Sequence, residues 1–415
     1  MPTAATARPA VSGLSMSGIL DPVSLPEFLD KHWEKEHLLL KRDNPGHYGS
    51  IFGFADIDRY LTVAAKNSNT WMSLGSTGDD GRISMRKMRI QDTRQKDLFK
   101  AFHSGSTIML DSIDQCWPAA AELAAVFGDA FSALVKVNAY ITPPGFQGAP
   151  IHPDIQDVFA LQMEGSKEWY IFDDRCYEPV ENLTLMDFIG KQRHAYPDDL
   201  AIKERSMLET GDFLYIPRGL VHKAVAPADS PSIHLAVCVT PYYWVDFMKA
   251  AVEVASTVQK PLSDALPVGF ERSDEARDAM RERFKAAVAG LLDDDAIFDR
   301  TLMVMRQARV AGSAQAGDGQ LQQIVDMEKI TADTLMVKRP GHPCTSRADA
   351  KGAVLIFGPG GQMGGPPSLK DAFAFICENA TFRVGDLPGA LSDGSKITVV
   401  KRLVRDGLLR ADWSA

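Results

Sequence analysis

The stretch from Leu134 to about Tyr243 constrains the fold most, because short apolar segments alternate there with Gly, Pro and Asp. Segments of this length, separated by such residues, are typical of strands joined by tight turns. The stretch therefore predicts a compact β-rich barrel or a double-sheet sandwich. The predicted strands are 135–141, 158–163, 168–172, 213–216 and 233–239.

Within this stretch lie two histidines and a carboxylate that could reach one metal ion. His152 and Asp154 form an H-x-D motif, and on a strand two residues separated by one project from the same face. His222 follows an apolar strand and closes the pattern G-D-x-L-x-x-P-x-G-x-x-H. Two histidines and one carboxylate on one side of an ion form the facial triad of non-haem Fe(II) oxygenases, which leaves coordination positions open. The sequence thus predicts an iron site.

Each of these residues also has a plainer interpretation. An H-x-D motif can be a surface pair in a loop, and His222 could be a turn histidine packed on Tyr215. His234, inside an apolar strand, is interpreted as a buried histidine that supports the site without binding metal. Lys167 follows a predicted turn at 164–166, where a lysine is ordinarily solvated. Deep in a barrel it could instead pair with a free carboxylate.

Composition narrows the class of protein. A formal net charge of -9 argues against a general nucleic-acid-binding surface. The five cysteines never form a C-x-x-C pair, which is the usage of a reduced, cytosolic protein. Neither a secretory signal in the first 17 residues nor a run of membrane-spanning length is evident. These observations predict a cytoplasmic location and no membrane partner.

The flanking regions differ in texture from the β-rich stretch. Residues 1–15 are predicted to be disordered. The region 244–337 has helical periodicity and serves either as an interaction surface or as packing. Its clearest pattern is one predicted buried stripe, formed by Ala276, Met280, Phe284, Ala287 and Leu291.

The region 338–415 has the order of a winged-helix domain. Helices are predicted around 369–376, 386–391 and 397–405, followed by a strand at 408–410. Between 366 and 415 seven Lys and Arg stand against six Asp and Glu. Because affinity for DNA scales with the phosphates neutralised, this balance disfavours DNA binding. A structural or protein-contact role is predicted.

Several motifs together resemble a known family. They are N-A-Y-I-T-P-P-G from Asn138, H-P-D from His152, K-E-W from Lys167 and the Gly211 to His222 pattern. These motifs resemble the JmjC-type cupins of the ribosomal oxygenase group. The strong resemblance covers residues of about 130 to 245, whereas the flanking regions agree only in order and size.

The resemblance implies an α+β fold with a double-stranded β-helix (jelly-roll) core. It implies a JmjC/cupin catalytic domain over 16–243, a helical dimerisation domain over 244–337 and a winged-helix domain over 338–415. The implied activity is Fe(II)- and 2-oxoglutarate-dependent hydroxylation by O2 of a protein side chain, an Arg or His of a ribosomal protein being expected. The implied partners are this substrate and a second copy of the chain.

The resemblance also implies roles for individual residues. His152, Asp154 and His222 match the iron ligands of the group. Lys167 matches the basic residue that pairs with the distal carboxylate of 2-oxoglutarate, while Asn138 and Tyr140 match positions lining the cosubstrate pocket. No catalytic residue beyond the metal ligands is implied.

Departures from the group leave alternatives open. Pro153 stands where the group more often has a flexible or aromatic residue, and Ala236 and Cys238 stand where it tends to have hydroxyl residues. The alternative substrate is a peptide or amino-acid precursor of a biosynthetic pathway. A non-enzymatic cupin regulator that binds DNA through the winged helix, or a metal-dependent cupin that uses no 2-oxoglutarate, are the other interpretations.

Overall fold

A computed structural model describes the fold over most of the chain. The described residues are 14–49, 51–78, 82–175, 200–272, 274–292, 294–312, 319–339, 341–348, 352–358 and 361–413. The predicted disorder of the first residues lies largely outside these ranges. The chain divides into two compact units, of which the first ends at Thr240 and the second begins at Pro241. The finer domain boundaries stay predictions.

The first unit is built on antiparallel strands. They are β1 (Leu38–Leu40), β2 (Trp71–Thr77), β3 (Ile83–Arg89), β4 (Thr107–Leu110), β5 (Leu134–Thr142), β6 (Asp157–Arg175), β7 (Ile202–Glu209), β8 (Phe213–Ile216), β9 (Leu220–Val225) and β10 (Ser232–Thr240). The main sheet has the order β1-β8-β6-β10-β5-β4-β2-β3, while β7 and β9 pair with β6. The β-rich prediction for the stretch 134–243 is confirmed, although β7 and β9 within it were not predicted. Strands β2 and β3, which precede this stretch, were not predicted either.

Strand β6 belongs to both sheets of the barrel. Its first half pairs with β8 and β10, and its second half pairs with β7 and β9. The predicted turn at 164–166 is therefore wrong, because β6 continues through these residues as strand, just after a bulge at Met163. Gly165 has a φ of +66° at the point where β6 passes from pairing with β10 to pairing with β7, and a Cβ at this position would overlap the carbonyl oxygen of Pro231.

Helices cover one face of the main sheet. They are α1 (Met16–Leu20), α2 (Leu25–Lys31), α3 (Ile57–Ala64), α4 (Gln95–His103) and α5 (Pro118–Phe131). Phe28 of α2 and Phe127 of α5 pack against the sheet through Phe159 of β6, with ring centroids 5.7 and 4.8 Å away. Alternation along β5 therefore sends Ala139 and Ile141 into this core. Asn138 and Tyr140 project from the opposite face.

The opposite face of the main sheet packs against the second sheet. Ala160 and Leu214 of the main sheet share an apolar cluster with Trp169, Ile171 and Leu208 of the second sheet. The two sheets thus enclose a barrel interior, as the composition of this region predicts. The side chains at this interior face decide what the barrel can bind.

The second unit begins with helices. They are α6 (Trp244–Ser256), α7 (Lys260–Ser263), α8 (Asp274–Leu292), α9 (Asp295–Gly312) and α10 (Gln320–Asp326). The predicted helical region is confirmed, but the buried stripe on α8 is wrong. Phe284, at the centre of that stripe, is 69% exposed. Helical periodicity alone does not reveal whether an apolar face is covered within the chain.

The remainder of the second unit has its own core. Its strands are β11 (Leu335–Lys338), β12 (Thr345–Ala348), β13 (Val354–Gly358), β14 (Gly361–Gly365), β15 (Thr381–Arg383) and β16 (Leu409–Asp412), and its helices are α11 (Lys370–Glu378) and α12 (Asp393–Arg405). Helix α12 begins after the Ser392 cap and buries Val400 and Leu403, as predicted. The predicted helix at 386–391 is wrong, since only a 3-10 turn at Val384–Asp386 occurs there. The winged helix stays a prediction.

Within the described part of the chain, no helix combines the length and apolar character needed to cross a bilayer.

Candidate metal centre

His152 and Asp154 lie in the loop between β5 and β6, not on a strand as their spacing suggested. Two backbone hydrogen bonds hold this loop to β9: the amide of His152 donates to the carbonyl of His222 (3.2 Å), and the reverse bond measures 3.0 Å. The amide of Gly219 also donates to the carbonyl of Asp154 (2.8 Å). The loop geometry, rather than strand alternation, therefore brings the H-x-D motif to His222.

The three side chains converge. The Nε2 atoms of His152 and His222 lie 3.7 and 3.4 Å from the two carboxylate oxygens of Asp154. One ligand atom from each residue lies within 4.8 Å of the others, and this is the metal-type cluster found among the described residues. A facial arrangement of two imidazoles and one carboxylate is the donor set of non-haem iron sites. The predicted triad is thus assembled in space.

The other ring nitrogen of each histidine fixes its orientation. Nδ1 of His152 lies 2.7 Å from the carbonyl oxygen of Pro150, and Nδ1 of His222 lies 3.0 Å from that of Leu220. A carbonyl can only accept, so Nδ1 carries the proton and Nε2 offers its lone pair toward Asp154. Burial, together with the nearby His152, lowers the pKa of His222 to about 4. The ring is therefore neutral at physiological pH, as a ligand must be.

The site is open on one side. The side chain of His222 is 5% exposed, whereas those of His152 and Asp154 are 33% and 35% exposed. A metal held by the three would therefore face both the barrel interior and solvent. This arrangement leaves room for a cosubstrate on the inner side and a large substrate on the outer side.

Lys167 is buried in the barrel interior and is not a solvated hairpin residue. Only 2% of it is exposed, and Nζ donates to Oγ1 of Thr142 (2.9 Å). Burial lowers its pKa to about 7. An isolated buried amine is costly unless an anion pairs with it. A carboxylate ligand reaching Nζ would supply that partner.

Tyr140 and Asn138 occupy the interior face of β5, as expected for pocket residues. The Tyr140 ring stacks on His234 with centroids 4.8 Å apart, and Nζ of Lys167 lies 5.9 Å from the Tyr140 centroid. The Asn138 side chain instead accepts from the amide of Ser112 (2.9 Å) and lies 3.7 Å from Sγ of Cys238. Tyr140 thus lies beside the Lys167 amine, whereas Asn138 connects β5 to the backbone at Ser112.

Two residues at the site went unrecognised in the sequence. Trp169 lies two positions after Lys167 on β6 and therefore shares its face; its ring centroid is 6.0 Å from that of His222. Thr142, the partner of Lys167, stands two positions after Tyr140. Both residues could have been predicted by strand alternation, counting two positions on from Lys167 and from Tyr140.

Buried polar atoms also mark this interior. Nε1 of Trp169 and Nδ1 of His234 are buried without a hydrogen-bond partner among the described residues. Burial, Lys167 and His222 lower the pKa of His234. His234 therefore supports the interior, as predicted, and the metal-type cluster does not include it. With Lys167 these atoms form an environment that suits a carboxylate acceptor.

Ala236 and Cys238 line the same wall in place of hydroxyl residues. Both are buried with Val158 in a small cluster that Tyr140 covers. The register places Asn138 opposite Ala236 across the strand pair. This part of the interior therefore contributes shape more than hydrogen bonds.

Comparison with known proteins places these residues in a family. Residues 115–247 match the family model described as JmjC domain. The chain therefore carries a JmjC domain over this range. The resemblance inferred from the motifs is thereby confirmed, and the JmjC cupin fold with it. The residues match the Fe(II) and 2-oxoglutarate that JmjC oxygenases use, because three metal donors and one buried cation belong to the same barrel.

The relatives cover this JmjC domain at moderate identity. The chain is 27% identical over 290 residues to Ribosomal oxygenase 1 of Danio rerio, a match covering 66% of this chain and 51% of that protein. It is 31% identical over 236 residues to Ribosomal oxygenase 2 of Mus musculus, covering 53% and 46%. The chain thus spans about half the length of these relatives.

A solved structure has a similar fold over nearly the whole chain. YcfD, a ribosomal oxygenase from Escherichia coli in complex with cobalt and 2-oxoglutarate, superposes with a TM-score of 0.56 at 16% identity, covering 94% of this chain and 99% of that one. At this identity the likeness concerns the fold alone.

Proposed function

We propose that this protein is an Fe(II)- and 2-oxoglutarate-dependent dioxygenase that hydroxylates an Arg or His side chain of a ribosomal protein. The observation that carries the proposal is the convergence of His152, Asp154 and His222 beside a buried Lys167 in one barrel. A buried cation next to a three-donor site has a use when the cosubstrate carries two carboxylates. Tyr140 and Asn138 complete the cosubstrate pocket.

The chain's residues hold and orient the reactants. His152, Asp154 and His222 hold the iron by their Nε2 atoms and carboxylate, and Lys167 with Thr142 anchors the distal carboxylate of 2-oxoglutarate. When bound, iron and 2-oxoglutarate supply the activation of O2, with succinate and carbon dioxide as co-products. Trp169 and Tyr140 keep water from the buried end of the pocket. The target side chain of the substrate enters from the solvent side, where His152 and Asp154 are exposed.

The protein substrate is proposed from two features. The ribosomal oxygenase names of the relatives suggest a ribosomal target, and a relative from Aedes aegypti is called a bifunctional lysine-specific demethylase and histidyl-hydroxylase. The outward exposure of His152 and Asp154 suits a side chain that reaches in from a large partner. We propose a cytoplasmic location for this reaction.

The second unit is proposed to be a dimerisation region followed by a winged-helix domain. Support comes from large apolar side chains that the helices leave uncovered, including Phe284 (69% exposed). A second copy of the chain would bury them. For the winged helix, the support is α11 and α12 packed on the small sheet β15-β11-β16.

The test is cosubstrate turnover and product mass. Wild type should release succinate from 2-oxoglutarate in the presence of Fe(II), and Asp154→Ala should lower turnover at least a hundredfold because a metal ligand is lost. Asp229→Ala, a surface aspartate in the same unit, is the matched control. Mass spectrometry of ribosomal proteins from a deletion strain should show the loss of one oxygen atom in one protein. Full turnover by Asp154→Ala would refute the proposed site.

A further inference from the structure

A row of directly opposed residues connects the candidate site with the outer edge of the main sheet. His234 is opposite Tyr140, Tyr140 is opposite Met109, Met109 is opposite Ser73, and Ser73 is opposite Lys87. Directly opposed residues of a pleated sheet share one face. The face that forms the barrel interior therefore continues outward over β4, β2 and β3 to Lys87.

The outer end of this face carries a cluster that we call the shelf, formed by Trp71, Met85, Lys87 and Arg89. Nζ of Lys87 lies 5.4 Å, and Cζ of Arg89 5.1 Å, from the centroid of the Trp71 ring. Lys87 also pairs with Asp111 at 3.2 Å. The Trp71 ring therefore holds the two cations in place by cation–π contacts, so they are not unrestrained surface charges.

The shelf borders the loop that carries the metal ligands. A Cβ at Gly75 of β2 would overlap the carbonyl oxygen of Gly148, so the loop rests directly on this sheet. The same position would bring a Cβ within 2.9 Å of Sδ of Met85. A molecule lying on the shelf thus contacts the surface that leads to His152.

The segment around strand β3 is positively charged, whereas the whole chain is negatively charged. Residues 82–90 contain Arg82, Arg86, Lys87 and Arg89 without an acidic residue, whereas the whole chain has a net charge of -9. Strand β3 ends the order of the described main sheet. An edge strand accepts an extended peptide through main-chain hydrogen bonds, with side chains giving specificity. The shelf therefore offers a sheet edge to which a further strand can pair, together with positively charged side chains.

The surroundings of Trp71 favour an acidic peptide over RNA as the ligand of the shelf. Single-stranded nucleic acid is held by bases stacked on open aromatic rings. Lys87 and Arg89 both lie over the Trp71 ring, so they compete with a base for that face. An acidic peptide needs the cations and the strand edge, and both are offered here.

We propose that an acidic, extended segment of the protein substrate adds to β3 as a further strand, with its carboxylates on Lys87 and Arg89. The proposal rests on the proposed function for its substrate, but the docking can be measured separately. Strands lie about 4.8 Å apart, so β3 is roughly 15 Å from Tyr140 on β5. The added strand would lie one spacing further out, roughly 19 Å from Tyr140. An extended residue spans about 3.3 Å, so the docked segment would lie about six residues from the hydroxylated side chain.

The experiment measures binding of a labelled peptide of about twelve residues, in which Glu alternates with Thr, to the full chain. Matched probes are the same peptide with Lys in place of Glu, and a single-stranded RNA of equal length. Lys87→Glu and Arg86→Glu make the same charge change at neighbouring positions. Because Arg86 is opposite Leu74, whose side chain is buried in the core, it lies on the other face of β3.

Wild type should bind the acidic peptide at least tenfold more tightly than either other probe. Lys87→Glu should weaken this binding about tenfold, and Arg86→Glu should weaken it less than threefold. Hydrogen exchange should slow at the amides of 83–89 on binding, which side-chain contact alone would not cause.

Equal weakening by the two variants, unchanged exchange over 83–89, or tighter binding of the RNA would each overturn the docking proposal. Succinate release by the wild type without peptide tests the proposed function on its own. Turnover without peptide binding therefore refutes only the shelf, and peptide binding without turnover refutes only the enzyme.

Discussion

Lys167 is held in the barrel at a cost to stability. Its folded pKa of about 7 is below the ordinary value of 10.5 because burial penalises the charged amine. Lys167→Met removes that charge at similar volume, so we expect the metal-free protein to gain about 3 kcal/mol of unfolding free energy at pH 6. The same variant should lose most 2-oxoglutarate turnover. Urea unfolding and succinate release check the two outcomes.

The pH dependence of this gain has a definite sign. Above pH 7 the folded lysine gives up its proton, while the unfolded lysine keeps it until about pH 10.5, so wild type gains stability as pH rises through this range. The advantage of Lys167→Met should therefore shrink between pH 7 and 9. Lys136→Met, at an exposed position of β5, is the control and should change stability by less than about 0.5 kcal/mol. An advantage independent of pH would contradict the burial argument.

Sequence identified the ionisable site residues because their spacing carries chemistry. His152, Asp154 and His222 stand in motifs, and the resemblance pointed to Lys167. Trp169 was missed because a tryptophan in an apolar strand reads as core, and its unpaired Nε1 is visible only once the opposing strands are in place. The partner of Lys167, Thr142, needed the same information.

At the scale of the element, β6 places Lys167 through the backbone conformation of Gly165, where the strand passes from one sheet to the other. Gly165→Ala meets both an unfavourable φ of +66° and the carbonyl oxygen of Pro231. We expect a loss of about 3 kcal/mol in unfolding free energy and about a tenfold rise in KM for 2-oxoglutarate, since Lys167 is two residues away. Urea unfolding and steady-state kinetics measure these.

Gly49 offers a control in which alanine meets only the unfavourable positive φ and no steric overlap. Its φ is +57°, and a Cβ there would meet nothing within 4 Å. Gly49→Ala should therefore cost only about 1 kcal/mol and leave KM unchanged. Equal losses in the two variants would mean that the overlap with Pro231 has no role.

Elements were predicted well where apolar patterning is strong and poorly where it is weak. Strands β5, β8 and β10 are apolar runs and were found. Strand β3 reads I-S-M-R-K-M-R and is exposed along most of its length, because an edge strand need bury little. The segment 164–166 of β6 was predicted to be a turn, since Gly165 signals a positive φ but not the path that follows.

At the scale of the whole molecule, the order of β-rich, helical and C-terminal regions follows from periodicity, but whether an apolar helix face is covered does not. The stripe on α8 was predicted to be buried, yet Phe284 is 69% exposed. Other large side chains of the second unit are also exposed, among them Val268 and Leu321. A pattern made to be covered by a second copy looks the same in one sequence as a pattern covered within the chain.

The proposed dimerisation through α8 gives a prediction for the whole protein. Wild type should have a solution mass near twice 45.4 kDa by light scattering, and Phe284→Asp should shift it toward the single-chain mass, because a charge would be buried at the interface. Ile202→Asp, at a residue 53% exposed on β7 of the first unit, is the matched control and should keep the dimer. Fe(II)-dependent succinate release should persist in Phe284→Asp, since the metal site lies in the first unit. A wild type that remains at 45.4 kDa at every concentration would exclude the dimer.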